Sequence, residues 1–299
     1  MKIRIGYGLG TSSNTNDQDR FDALIDGLEE HGFDSLWLSE RLTSECPDPL
    51  VGMAYACGRT KNLKVGMSVM VLPGRNPVVL AKSIASLDRL SAGRVLPAFG
   101  LGVANSAEHQ AFGVDRKDRG GWFNEALPLM RRLWSEDHVD HDGKRFKITD
   151  VTVRPKPTQT PLEVWLGGRA PLEMKRVGVH GDGWLPSFCT PADVTEGRAH
   201  IEQILKENDR QIEDDHWGVL IPYRSDGAEI PEQMAAIVAA RNPEADAGDI
   251  VPTLSELPKT IQGFIDVGFT KFVLIPTTEP DDWSPELADV ADLVKPIEN

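Results

Sequence analysis

Cysteine is scarce and scattered: Cys46, Cys57 and Cys189 are the only three in 299 residues, and no two fall in a CxxC pair. That excludes a disulfide framework and a cysteine-based zinc site, and it fits a reducing compartment. No apolar run approaches the ~20 residues that span a bilayer. The chain begins Met1-Lys2-Ile3-Arg4-Ile5-Gly6 and enters a strand pattern at once, without the apolar core of a signal peptide. A soluble, cytoplasmic protein is the expectation. Cations are also in deficit. The 32 Lys and Arg stand against 46 Asp and Glu, for a net charge of −14. Such a field disfavours nucleic acid and anionic membrane as partners. Catalytic and nucleotide motifs are missing too: there is no GxSxG, no P-loop lysine, and no GxGxxG after the first strand. His138 and His141 fall on a hairpin and read as two exposed histidines, so no metal site is expected.

What is present is a repeated strand-helix unit. The clearest copy is KVGMSVMVLPGRNPVVLAKSIASLDRLSAGRVLPAFGLG, residues 64–102. Residues 65–71 are an apolar run of strand length. Leu72 to Pro77 holds two prolines and a glycine and reads as a loop, with Asn76 as N-cap and Pro77 at the first helical position. Val79, Leu80, Ser83, Ile84, Leu87 and Leu90 recur at helical spacing. Gly93 suits the left-handed position that ends a helix. Residues 95–99 form the next strand. Short connections between such elements imply parallel strands.

The same alternation runs through the chain, and the stretch from Leu28 to Leu38 weakly resembles that from Phe264 to Leu274. Roughly eight strands alternating with helices predict a (β/α)8 TIM barrel as a single domain over 1–299. A doubly wound open sheet is the competing fold; the even spacing of strands speaks against it. Insertions are expected at about 103–118, 137–160 and 224–255. The last is polar and rich in Pro, Asp and Ala.

In such a barrel the reactive site lies at the carboxyl ends of the strands. Two loops there suit an anionic planar cofactor. Gly100-Leu101-Gly102 lets a ring or phosphate approach the backbone. Gly167-Gly168-Arg169-Ala170 follows a strand and opens a helix, which makes a phosphate site by geometry. For each loop alone, a tight turn that needs glycine is an equal reading; together they favour a cofactor. Trp37 and Trp184 lie nearest strand ends and are read as facing substrate, whereas Trp122 and Trp165 are read as core.

Several stretches together resemble the bacterial luciferase-like flavin and deazaflavin oxidoreductases. They are GFDSLWLSE (32–40), NPVVLAK (76–82), LDRLSAGR (87–94), Gly100-Leu101-Gly102, Phe112-Gly113, VWLGG (164–168) and GDGW (181–184). The resemblance covers nearly the whole chain. It implies a TIM barrel that binds coenzyme F420 or FMN at the strand ends, often as a homodimer. It implies a non-proline cis peptide at Ser68-Val69, pressed against the ring with Gly100 and Gly102. It places the phosphate on Gly167, Gly168, Arg169 and Ala170, with Arg176 further along the helix toward the cofactor's tail, and hydrogen bonds from Asn105 and Ser106 near the ring. Where F420-dependent dehydrogenases of the family carry Asp-His after the second strand, this chain has Glu40-Arg41; where they tend to carry Glu after the fourth-strand glycines, it has Val103. Glu40 is the expected acid/base or ring contact and Arg41 the expected contact to an anionic substrate, unless the two pair with each other to fix the loop. The implied activity is hydride exchange between deazaflavin C5 and a small organic substrate. An FMN-dependent monooxygenase and a non-catalytic flavin-binding barrel are the alternatives.

Overall fold

A computed structural model describes residues 2–298, the side chain of Ser106 excepted. The wall is built from strands β1 (Arg4–Leu9), β2 (Ser35–Leu38), β3 (Lys64–Met67), β4 (Met70–Val71), β5 (Val95–Leu96) and β6 (Ala98–Gly100). After the hairpin strands β7 (Val139–Asp142) and β8 (Lys147–Val151), it continues through β9 (Trp165–Leu166), β10 (Gly183–Trp184), β11 (Gly218–Tyr223) and β12 (Lys271–Pro276). Two parallel sheets make it, in the orders β11-β12-β1-β2-β3-β5 and β10-β9-β6-β4. β3 and β4 are halves of one stave, parted at Ser68-Val69, where the peptide bond is cis; β5 and β6 are halves of another, parted at Pro97. Bridges from Trp184 to Trp217 and from Ser187 to Leu220 close the ring. The result is the expected barrel.

Helices α1 (Gln18–Glu30), α2 (Pro49–Arg59), α3 (Pro77–Leu90), α4 (Ser106–Ala111), α5 (Arg119–Ser135), α6 (Pro171–His180) and α7 (Pro191–Glu207) follow in chain order. α8 (Glu232–Arg241), α9 (Ala247–Ile250), α10 (Leu257–Asp266) and α11 (Trp283–Val294) complete them. None is long and apolar enough to cross a membrane. α3 starts as its sequence dictates: Asn76 Oδ1 accepts from the amides of Val78 at 2.9 Å and Val79 at 3.2 Å. Its buried face is Leu80, Ala81, Ile84, Ala85 and Leu87, joined by Asp88. Val79 and Leu90, expected on that face, are instead 63% and 87% exposed; the stripe that meets the barrel is narrower than the apolar pattern. Asp88 is buried because it accepts from the amides of Thr158 and Gln159 and so pins the proline-rich connector. Ala92 as well as Gly93 takes positive φ at the helix end.

The 224–255 segment, read as a polar insertion, carries α8 and α9. Val238, Ile250 and Val251 make a small second core with Phe188, Ile230 and Met234. Its base is pinched by Arg224 N to Pro252 O and Leu254 N to Arg224 O. In the hairpin, His138 is exposed and meets Asp150, but His141 is half-buried and lies 3.3 Å from Glu125. The two therefore do not form the exposed pair expected.

The amino-terminal end of the barrel is closed by charge. Asp34 accepts from Lys271 Nζ at 2.7 Å and Lys64 Nζ at 2.9 Å. Burial pushes the Asp34 carboxyl up, but the two ammonium groups outweigh it and hold the carboxyl well below the usual carboxylate range. Burial lowers the Lys271 pKa, opposed by Asp34; at 2.7 Å from that carboxylate we take the ammonium as charged at neutral pH. Above this pair lies Trp37, fully buried, its Nε1 donating to Ser35 Oγ at 2.8 Å. A Cβ on Gly66 would sit 2.6 Å from the indole, so glycine is required where the ring crosses β3. Trp37 therefore fills the barrel interior and does not face substrate.

Asp34→Asn leaves Lys271 buried without its counter-ion, and a loss of about 3–5 kcal/mol is expected in urea unfolding. Because the folded-state pKa of Asp34 is depressed, its contribution is present above the ordinary carboxylate pKa and lost as pH falls below it. Wild type should therefore lose more stability on acidification than Asp34→Asn; parallel pH profiles for the two would count against the pair.

Candidate active site

Near the carboxyl rim, β3, β6 and β9 are almost wholly buried, yet Ser68, Val69, Gly100 and Gly167 are half-exposed. These four converge. Ser39 Oγ donates to Ser68 O at 3.2 Å. A Cβ on Gly100 would lie 2.5 Å from a Val69 methyl, and one on Gly167 would lie 3.5 Å from the other. Val69 thus rests on two glycine surfaces, one at the end of the adjacent β6 and one just after β9, the next strand along. A flat, side-chain-poor floor results at the point where the backbone of the third stave breaks.

Behind the floor sits Glu40, with its side chain 2% exposed. One oxygen accepts from Val71 N at 2.7 Å and the other pairs with Arg75. Burial raises the carboxyl's pKa, against the pull of Arg75 and the Val71 amide. Arg75 also donates to Val71 O at 3.0 Å and lies over the Phe112 ring. Glu40 therefore anchors β4 and its loop. Its partner is Arg75 and not Arg41, and with both oxygens engaged behind the floor it does not serve as the free acid/base expected. Arg75 lies inside the LPGRNP segment, whose prolines and glycine announced only a loop.

The second glycine loop is arranged differently from expectation. The amides of Arg169 and Ala170 do point at one place, but the Glu173 carboxylate accepts from both at 3.0 Å. It lies against Gly168, where a Cβ would be 2.4 Å from Glu173 Oε2. Glu173 is the third residue of α6, so its spacing is that of a capping glutamate, a cue present in the sequence and missed. Arg169 turns away to Asp193 and Phe188 O, each at 2.8 Å. Arg176 binds Asn124 at 3.0 Å and lies over Phe123. Trp184, expected to face substrate, is 1% exposed. Its Nε1 donates to Gly168 O at 2.9 Å and its ring packs on Gly197 of α7, so it supports the loop from behind. Asn242, from the 224–255 segment, donates to Asp193 and ties that segment to the same corner.

Opposite, Gly102 is more exposed and has φ +76°. Asn105 caps α4 through Ala107 N at 2.8 Å, which gives its side-chain oxygen a structural task. The side chain of Ser106 lies outside the described residues. Arg119 and His109, neither singled out from sequence, meet at the carbonyl of Val103. Among the described residues no group of three or more His, Cys, Asp or Glu is placed to hold a metal ion. A cavity of about 370 Å³ runs between α6 and α7 beside Arg169, outside the barrel. The rim floor is the better site, since it gathers accessible backbone from three strands.

Fold and floor together define a (β/α)8 barrel whose rim is shaped for a planar ring. The chain matches the luciferase-like monooxygenase family over residues 2–249 and belongs to it. It is 25% identical to an F420-dependent glucose-6-phosphate dehydrogenase of Kineococcus radiotolerans, with 90% of each chain covered. Among solved structures it is similar to an F420-dependent secondary alcohol dehydrogenase in complex with an F420-acetone adduct (TM-score 0.80, 21% identity, 99% of this chain and 98% of that one). It is also similar to the oxygenating constituent of 3,6-diketocamphane monooxygenase from Pseudomonas putida in complex with FMN (TM-score 0.78, 17% identity, 100% and 99%). Both structural likenesses concern the fold.

Glu40→Ala removes the acceptor of Val71 N and the counter-ion of Arg75, and a loss of about 3–5 kcal/mol is expected without any cofactor present. Glu40→Gln keeps an acceptor and should cost about 1–2 kcal/mol. Thermal melts of the two variants check this; unchanged melting in both would return Glu40 to a purely chemical role.

Proposed function

We propose that this oxidoreductase uses coenzyme F420 and exchanges a hydride between the deazaflavin C5 and a small organic substrate. The observation that carries the reading is the floor of Ser68, Val69, Gly100 and Gly167. A planar ring needs a surface without projecting side chains, and the floor has one. The F420-dependent dehydrogenase named above, similar over 90% of both chains, supports this cofactor over FMN.

The residues present fit the cofactor in two respects. The glycine surfaces can take a ring at van der Waals distance. The amides of Arg169 and Ala170 form an anion-binding pair, with the Glu173 carboxylate standing where a phosphate would be held. Val69, Gly100 and Gly102 would hold the ring; Gly167, Gly168, Arg169 and Ala170 would hold the phosphate once Glu173 moves off. When bound, the reduced deazaflavin supplies the hydride, so the chemistry is the cofactor's. The protein's part is orientation and exclusion of water. Glu40 and Arg75 keep β4 in register with β6, Trp184 backs the Gly168 turn, and Asn242 of the 224–255 segment ties that segment to Asp193 beside Arg169.

Titration with F420 and, separately, FMN tests the reading, followed by tryptophan fluorescence and cofactor absorbance. Micromolar or tighter binding of F420 with weak binding of FMN is expected. The opposite preference would make the protein an oxygen-using flavin monooxygenase, and binding of neither would refute a cofactor role for the floor.

A further inference from the structure

The chain is strongly acidic, yet two cations at the barrel mouth make no salt bridge among the described residues. Arg119 is 6% exposed. Its partners among the described residues are Val103 O at 3.0 Å and His109 Nε2, both reached by one amino group. The other amino group of Arg119 points past Gly102: a Cβ on that glycine would lie 2.6 Å from it and 2.9 Å from a Val71 methyl. It therefore stands at the ends of β4 and β6, beside the floor.

Arg41 belongs to the same corner. Its Nε is buried with no hydrogen-bond partner among the described residues. Glu108 is the carboxylate at hand, and it is already engaged: it accepts from Leu42 N at 3.2 Å, Thr43 N at 2.9 Å and Thr43 Oγ1 at 2.6 Å. Arg41 and Arg119 are both within electrostatic reach of Glu108. The corner thus sets Arg41 and Arg119, with the exposed Arg116 adding a third positive charge beside Arg119, against one carboxylate that is committed to the loop. A buried cation left unmatched is costly, and an incoming anion relieves the cost.

We propose that Arg41 and Arg119 form an anion subsite at the mouth that takes a carboxylate or phosphate group of the bound reactants. The subsite rests on the reading of the rim as the reaction site. It lies across the floor from the Arg169–Ala170 amides, so a reactant anchored there spans the ring position. The anionic group belongs either to the substrate or to the charged tail of the cofactor.

The experiment is calorimetric titration of inorganic phosphate into wild type, Arg41→Gln and Arg119→Gln. Each is titrated alone, saturated with F420, and saturated with the deazaflavin riboside that lacks phosphate and glutamate tail. Phosphate binding weakened about tenfold or more in each variant, the loss of a charge-assisted hydrogen bond, is the expected result. Binding that persists on the F420-saturated protein assigns the subsite to the substrate. Binding abolished by F420 but not by the tail-free deazaflavin assigns it to the cofactor's tail. Equal phosphate affinity in all three proteins, or none in wild type, overturns the proposal. Melting curves verify folding. If Arg119→Gln does not fold, Arg41→Gln decides, because Arg41 lies on a half-exposed loop. Arginine-dependent phosphate binding without F420 binding upholds the subsite and refutes the cofactor reading instead.

Discussion

A closed wall of parallel strands uses nearly every backbone donor and acceptor in its own ladder, and it delivers all strand ends of one polarity to a single rim. The rest of the molecule follows from that constraint. Chemistry at the rim needs exposed backbone, and backbone is exposed only where a stave is interrupted. The third stave breaks at Ser68-Val69, and the next two strands along, β6 and β9, offer Gly100 and Gly167 at the same level. The break would leave β4 loosely held, since it is two residues long. The buried Glu40–Arg75 pair supplies the missing restraint by gripping Val71 from both its amide and its carbonyl. At the opposite rim, where no opening is needed, Asp34 and Lys271 close the barrel interior and Trp37 fills it.

Carboxylates carry most of this organisation, each matched to donors of a different kind. Asp34 faces two ammonium groups, Glu40 a guanidinium and an amide, and Glu108 the amides and hydroxyl of one loop. Glu173 takes the two amides of a helix N-terminus. It is tethered to the helix that it caps and so competes at high effective concentration with any external anion. Any anion that takes those amides must displace it.

Much of the fold was legible because the barrel repeats one unit, and each copy announces itself through a short apolar strand, a turn and an amphipathic helix. The boundaries of α3 follow from Asn76, Pro77 and Gly93, and the convergence of Ser68, Val69, Gly100 and Gly167 follows from knowing which end of a parallel strand is open. Helices α8 and α9 were not legible, because α8 (EQMAAIVAAR) is rich in alanine and shows no marked apolar stripe, α9 is a single turn, and both find their partners in Phe188 and in each other.

The amino-acid sequence by itself determined the barrel, its polarity and the glycine-lined places where a ring can approach, since these depend on local periodicity and on residues that lack a side chain. The tertiary structure alone decided which charges meet. Glu40 binds Arg75, 35 positions away, and not its neighbour Arg41. Trp37 and Trp184 turn into the core, and Arg119 comes to rest beside Gly102. Coulomb pairing and burial depend on distance through space, and in a closed barrel the chain returns to the same rim eight times from segments that local pattern treats as unrelated.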